Sequence, residues 1–347
     1  VAVNDRVLIR PGESYAYVAG RLATGLREVS TDPAVLESSG YWAVVGTFEG
    51  SWTFARFEHV ERRPHPRCAR PWPEIDQTAW ESSLTESAFM RCVEEVRDRI
   101  ATGEVYQVNL CRVVSAPLPA HTDLTGLSER LAVGNPAPFA ARVAVPEAGV
   151  DVVSASPELF LRRVGSQVSS APIKGTGRRT ADLSAKDVAE NVMIVDLVRN
   201  DLGRVSRPGS VRVDDALSVE THPGLVQLVS TVRAELRAGT TWPELLAATF
   251  PPGSVSGAPK STALTTIRDL EPVPRGPYCG AIGWVDSDQQ RAELAVGIRT
   301  FFRDDTMLRF GTGAGITWGS DPGREWRETA LKASRLLGLA GERGRLS

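Results

Sequence analysis

Three strand-like runs, Gly280-Ala-Ile-Gly-Trp-Val, Ala292-Glu-Leu-Ala-Val-Gly-Ile-Arg-Thr-Phe-Phe and Met307-Leu-Arg-Phe-Gly-Thr, follow one another with no helix between them. A helical pattern from about 322 to 337 then closes the segment, with Gly338 expected just past its end. Upstream, Phe89, Val93, Val96 and Ile100 recur at helical spacing and Gly103 suits a C-cap. Further strand-like runs fall at 105–114, 139–145 and 152–162, and a polar loop with Gly175 and Gly177 leads to a helix from about 185 to 199. Strands and helices mix without regular βαβ alternation, which predicts an α+β fold rather than a doubly wound sheet. Residues 1–60 carry short β-like runs, and 61–80 are rich in Pro and Arg and read as a surface connection. The expected organisation is a β-rich N-terminal part of the same fold over 1–80 and a catalytic region over 81–347.

With 347 residues, 42% apolar, 24% charged and a formal net charge of −2, the chain suits a large soluble core. No strong single-sign field points to nucleic acid or anionic membrane. Residues 1–10 carry Asp5 and Arg6 and lack a long apolar run, so no secretory signal is expected. Cys68, Cys92, Cys111 and Cys279 fit neither zinc spacing nor a disulfide scaffold, and a reducing cytoplasm is the expected setting.

Two acid pairs carry the first chemical signal. Asp187 and Glu190 are three apart on one predicted helix, with Ser184 placed to cap it and Val188, Val192 and Val195 on another, buried face. Glu325 and Glu328 repeat that spacing on the last helix, after Ser320, Asp321 and Pro322. Singly, such pairs are ordinary first-turn acids favoured by the helix dipole. If the pairs converge they need a hard cation between them, and Mg²⁺ suits carboxylates that share an anionic substrate.

Gly311-Thr-Gly-Ala-Gly-Ile-Thr reads equally as an anion-binding backbone or as a tight turn. Arg299 lies in a strand-like run, where a charge needs a carboxylate partner from the protein or from a ligand. Lys332, one turn after Glu328, has the surface-pair alternative. Pro251-Pro-Gly-Ser-Val-Ser-Gly-Ala-Pro-Lys opens onto a helix near 260–270. Lys174, in Pro172-Ile-Lys-Gly-Thr-Gly, reads as a solvated loop charge unless a group such as Glu158 lies beside it as a base.

Together these segments resemble the chorismate-utilising family of anthranilate, aminodeoxychorismate, isochorismate and salicylate synthases. The matching segments stand in family order: Tyr106-Gln-Val-Asn-Leu, Ser156-Pro-Glu-Leu-Phe, Pro172-Ile-Lys-Gly-Thr, Glu190-Asn-Val-Met-Ile-Val-Asp-Leu-Val-Arg-Asn-Asp, Pro252-Gly-Ser-Val-Ser-Gly-Ala-Pro-Lys, Cys279-Gly-Ala-Ile-Gly, Val296-Gly-Ile-Arg-Thr, Gly313-Ala-Gly-Ile and Ser320-Asp-Pro-Gly-Arg-Glu-Trp-Arg-Glu-Thr. They cover about 85–340. The resemblance implies one large α+β domain with two facing β-sheets and outer helices. It implies that Glu190 and Glu328 contact Mg²⁺ and that Asp187 and Glu325 hold its waters. Arg299, Lys332 and the backbone of Gly313, Ala314 and Gly315 would bind the anionic groups of chorismate, with Gly175, Thr176 and Ser254 lining the pocket.

Lys174 decides the subfamily, because anthranilate synthases carry alanine there and aminodeoxychorismate synthases carry lysine. By that resemblance Lys174 attacks C2 of chorismate, ammonia adds at C4, and Glu158 is the general acid/base. The ammonia implies a separate glutamine amidotransferase subunit, and the product is a precursor of para-aminobenzoate and folate. Two departures touch the pocket: Gln227 stands where many members have histidine, and Trp284 where they often have tyrosine. Val35-Leu-Glu-Ser weakly resembles the tryptophan-binding element of anthranilate synthases and is read here as chance. The alternatives are anthranilate formation, isochorismate formation (whose lysine falls near Gln107), a non-catalytic chorismate-binding protein, and a generic Mg²⁺-dependent phosphate enzyme.

Overall fold

The computed structural model describes residues 8–10, 12–68, 71–177, 179–180, 185–222 and 225–341. Six α-helices lie among them: α1 (Glu86–Ala101), α2 (Thr125–Gly134), α3 (Ala185–Gly203), α4 (Trp242–Thr249), α5 (Lys260–Leu270) and α6 (Pro322–Gly341). Leu8–Ile9 and Arg67–Cys68 pair parallel as a separate two-stranded sheet, and the other strands, from Tyr15–Val18 to Met307–Ile316, pair antiparallel in one network that closes on itself. The large antiparallel sheets and the helices together make the α+β fold expected from the sequence.

The N-terminal strands are woven into this network. Tyr41–Gly46 pairs with Ala281–Asp286 over its whole length, and Tyr15–Val18 pairs with Phe139–Val145. The main core runs from Ala16 to Ile316 and includes Trp42, Phe54, Phe89 and Ile194. Burying such apolar surface is the dominant favourable term in folding.

Local sequence explains some helix ends. The Thr85 hydroxyl accepts from Ala88 N–H at 3.2 Å to start α1, and Gly103 follows it with φ +80°. Thr241 and Glu244 form a reciprocal capping box on α4.

Several expectations are corrected. Lys174 stands in a strand, Ile173–Gly177, rather than in a loop. The glycine-rich run at 311–316 is strand as well, paired with Gln107–Pro117. The 292–302 run is broken, because Arg291–Val296 and Thr300–Asp304 are separate strands and Arg299 sits in the bend between them with φ +53°. Helix α6, Pro322–Gly341, passes through Gly338. On α3 the buried stripe is Asn191, Ile194, Val195, Val198 and Leu202, while Val188 and Val192 are exposed. Ser184 lies outside the described residues.

Candidate active site

Glu158 occupies the step between strands Val150–Ser156 and Leu159–Val164. It is held at its backbone, where its N–H donates to Ser156 Oγ at 3.2 Å and its carbonyl accepts from Val296 N–H at 3.0 Å. The residue is 4% exposed. Burial pushes its carboxyl up to about 7, against the opposing effects of a hydrogen bond from the Ser254 side chain, the charge of Lys174 and the Ile173 N–H. A carboxyl poised near neutrality can both give and take a proton there.

Lys174 pairs with Leu228 in its strand, and the ladder slips between Lys174 and Thr176, where Gly175 has φ +71°. This irregularity bends the strand beside the lysine. The Lys174 ammonium donates to the Ser254 carbonyl at 3.1 Å. Ser254 lies in the short turn Gly253–Val255. One residue therefore touches both catalytic candidates, through its carbonyl to Lys174 and its hydroxyl to Glu158. The sequence marks Ser254 only for contact with substrate.

A cavity of about 20 Å³ adjoins Glu158 and Ser254 and is lined also by Ser170, Thr249 and Asp201 among others. It has room for one water-sized molecule. Asp201 forms a 2.5 Å ion pair with Lys260, which also donates to the Thr249 carbonyl at 3.1 Å. Burial raises the Asp201 carboxyl to about 6, with Lys260 opposing that shift.

Glu190 and Lys332 both reach the glycine strand. A Cβ added to Gly315 would stand 3.7 Å from Glu190 Oε2 and 2.5 Å from Gln107 Nε2. Two residues along that strand, the Gly313 carbonyl accepts from Lys332 Nζ at 3.2 Å, and Lys332 pairs with Glu328 at 2.7 Å. Glu190 on α3 and Glu328 on α6 thus flank one short run, Gly313-Ala-Gly315. Ala314 is fully buried, and Glu325 is 3% exposed rather than a solvated first-turn acid. The side chains of Asp187 and Thr176 lie outside the described residues. Among the described residues no three His, Cys, Asp or Glu side chains form a cluster that could hold a metal ion.

Arg299 is half-buried, and burial together with the charge of Arg335 lowers its pKa. Among the described residues no protein carboxylate pairs with it. Gln227 is buried and sits opposite Thr176 in the strand ladder. Trp284 instead stacks on Tyr41, with ring centroids 5.8 Å apart, and lies under Arg21, so its ring belongs to the N-terminal strands. The Val35-Leu-Glu-Ser segment acts as a joint: Glu37 accepts from Trp242 N–H at 2.5 Å, and the Leu36 carbonyl accepts from Ser287. Sequence reasoning missed three residues. Gln107 is buried with its Oε1 unpartnered, while Asp201 and Lys260 end two of the quoted motifs.

The chorismate binding enzyme family matches residues 50–338. Anthranilate synthase component 1 1 of Haloarcula marismortui is 38% identical over 289 residues, covering 80% of this chain and 58% of the relative. Aminodeoxychorismate synthase component 1 of Bacillus subtilis is 35% identical over 274 residues, covering 75% and 57%. The chain thus spans somewhat over half the length of these relatives. Among solved structures, anthranilate synthase component I of Streptococcus pneumoniae superposes with a TM-score of 0.77 at 23% identity, covering 97% of this chain and 95% of that one. The menaquinone-specific isochorismate synthase of Escherichia coli gives 0.78 at 18% identity, covering 97% and 90%. With a family match across most of its length and relatives of two different activities at similar identity, this chain belongs to the chorismate binding enzyme family.

Proposed function

We propose that this chain is the synthase subunit that converts chorismate and ammonia to 4-amino-4-deoxychorismate, on the route to para-aminobenzoate and folate in the cytoplasm. The observation that carries the reading is the Lys174 amine, 3.1 Å from the Ser254 carbonyl, beside a buried Glu158 whose carboxyl titrates near neutrality. Attack requires the free amine, and a neighbouring carboxyl that accepts the lysine proton supplies it.

In the first half-reaction Lys174 Nζ bonds to C2, both conjugated ring double bonds shift one position towards C4, and the C4–O bond breaks. Glu158 gives its proton to the departing hydroxyl, which leaves as water. In the second half-reaction ammonia bonds to C4, the C2–N bond breaks, and Lys174 departs as the amine. The surplus proton of the incoming nitrogen returns to Glu158. The covalent step divides one difficult substitution into two easier ones.

Arg299, Lys332 and the backbone from Gly313 to Gly315 would receive the substrate's anionic groups, with Gly175 and Thr176 at the pocket wall. Mg²⁺ suits carboxylate oxygens, and Glu190 comes near Gly315 while Glu328 pairs with Lys332, which reaches Gly313. Glu190 and Glu328 would hold it, with Asp187 and Glu325 binding its waters. When bound, it would neutralise a substrate carboxylate. A separate glutamine amidotransferase would deliver the ammonia.

The test is incubation with chorismate, Mg²⁺ and ammonium, with the product identified by mass and by coupling to a lyase. We expect 4-amino-4-deoxychorismate from the wild type and its loss in Lys174→Ala. Anthranilate or isochorismate as the product would refute the role given to Lys174. Chorismate recovered unchanged would make the chain a non-catalytic binder.

A further inference from the structure

Ser254 holds both catalytic candidates, yet it sits in a turn that no strand ladder fixes. A buried ion pair reaches that turn. Among the described residues the ladder contact nearest to it is the two-residue strand Gly257–Ala258, paired with Gln107 and Val108. From Asn109 to Val113 the same edge of strand Gln107–Pro117 has no strand partner among the described residues, and side chains and the turn take over its hydrogen bonds. Asn109 N–H donates to the Ser256 carbonyl at 2.8 Å. The Asn109 carbonyl accepts from Arg275 Nη2 at 2.7 Å. Cys111 N–H donates to Glu271 Oε1 at 2.8 Å. Arg275 and Glu271 are themselves paired twice, at 2.6 and 2.8 Å.

The fork of Arg275 has a further arm. Its Nη1 donates at 2.8 Å to the carbonyl of Val255, the residue after Ser254. Arg275 is 1% exposed, and its guanidinium lies 4.1 Å from the Phe48 ring centroid. A planar guanidinium with fixed donor directions can bind three acceptors in one geometry, whereas a lysine ammonium cannot reproduce it. The groups facing Arg275 are Glu271, Cys111, Tyr278 and Cys279. Those facing Glu158 are Ser254 and Lys174, with Asp201 and its partner Lys260 across the small cavity. Arg275 touches neither Glu158 nor Lys174, so any effect it has on them passes through the turn.

We propose that Arg275 is a positioning residue, clamping the turn at 253–256 to strand Gln107–Pro117 so that Ser254 presents its carbonyl to Lys174 and its hydroxyl to Glu158. The proposal rests on the reading of Lys174 and Glu158 as the reacting pair. Glu271 serves as the second jaw of the clamp, holding the guanidinium plane and the strand edge together.

The experiment compares wild type, Ser254→Ala, Arg275→Lys and the double variant. It measures kcat and KM for chorismate consumption and titrates the Glu158 carboxyl by isotope-edited infrared spectroscopy. We expect Arg275→Lys to lower kcat by roughly tenfold to a hundredfold with KM nearly unchanged, the scale at which a small misplacement acts. Loss of the Ser254 hydroxyl bond removes support from the carboxylate, so the Glu158 midpoint moves to higher pH in both single variants. The double variant should lose less than the product of the single losses, as expected for residues acting through one contact.

Multiplicative losses, or a lowered melting temperature with kcat and the Glu158 midpoint unchanged, would make Arg275 purely structural and overturn the proposal. Should Arg275→Lys fail to fold, Glu271→Gln loosens the same clamp more gently and is read in the same two ways. A wild type that makes another product refutes the reaction assigned above, whereas the titration of Glu158 still tests the clamp independently.

Discussion

Glu158 shows what one buried side chain does to both stability and chemistry. Its carboxyl goes from 4.5 to about 7 because burial disfavours the charged form more than Ser254, Lys174 and Ile173 favour it. The folded protein therefore keeps a proton that the unfolded chain releases, and stability falls as pH rises from about 4.5 to about 7, then levels off. Glu158→Gln removes that slope. The variant should gain on the order of 3 kcal/mol relative to wild type between the acid end of this window and pH above 7. Denaturant midpoints at pH 5 and pH 8 check it, and parallel pH dependence in the two proteins would refute it. The same variant should lose roughly 10²- to 10⁴-fold in turnover. The residue types at 158 and 174 were legible in the sequence, and so was the need for them to meet. Their meeting was not legible, because Ser254 joins them from 80 residues beyond Lys174 through contacts that no spacing encodes.

At the scale of elements, the strand Met307–Ile316, legible as far as Thr312, is misread in its glycine-rich second half. Glycine is depleted in strands, so Gly311-Thr-Gly-Ala-Gly reads as a turn or an anion loop. In the structure the glycines are required by close approach within a sheet. A Cβ at 311 would stand 2.1 Å from the Tyr278 ring, and one at 313 would stand 2.5 Å from Cys111 Sγ. At 315 the obstacle is the end of the Gln107 side chain, which can swing away. The two ends of the strand should therefore respond differently to the same substitution. Gly311→Ala should destabilise by about 1–3 kcal/mol or more through overpacking. Gly315→Ala should keep most of its stability but displace Gln107 beside Glu190 and depress activity. Thermal melts and chorismate turnover of the pair separate the two, and equal melting temperatures would contradict a difference in packing between the two positions. The helices were easier to read because caps and apolar periodicity are local signals, as with Thr85 and Phe89. Where they were misread, as at Gly338 or on the Val188–Val192 face, tertiary packing outweighed local propensity.

At the scale of the whole molecule, the α+β class was legible from strand runs that follow one another without helices between them. The closure of those strands into one network was not, since a sheet edge looks the same in sequence whether it is free or paired. The pairing of Tyr41–Gly46 with Ala281–Asp286 joins segments some 240 residues apart. It makes the N-terminal strands part of the scaffold that carries Ser156, Glu158 and Lys174, because Ala281–Asp286 pairs with Arg291–Val296, which pairs in turn with Leu159–Val164. Trp42 is fully buried in this seam, within the main core. If the network is one cooperative unit, Trp42→Ala should cost about 3–5 kcal/mol. It should lower the midpoint for helix and sheet signals together, although it lies far in sequence from every helix of the candidate site. Far-ultraviolet circular dichroism and tryptophan fluorescence, followed through the same denaturant series, measure this directly. Coincident transitions that shift together would support a single unit. An early transition confined to the N-terminal strands, with the remainder melting as in wild type, would mean that the scaffold beneath Glu158 stands without them.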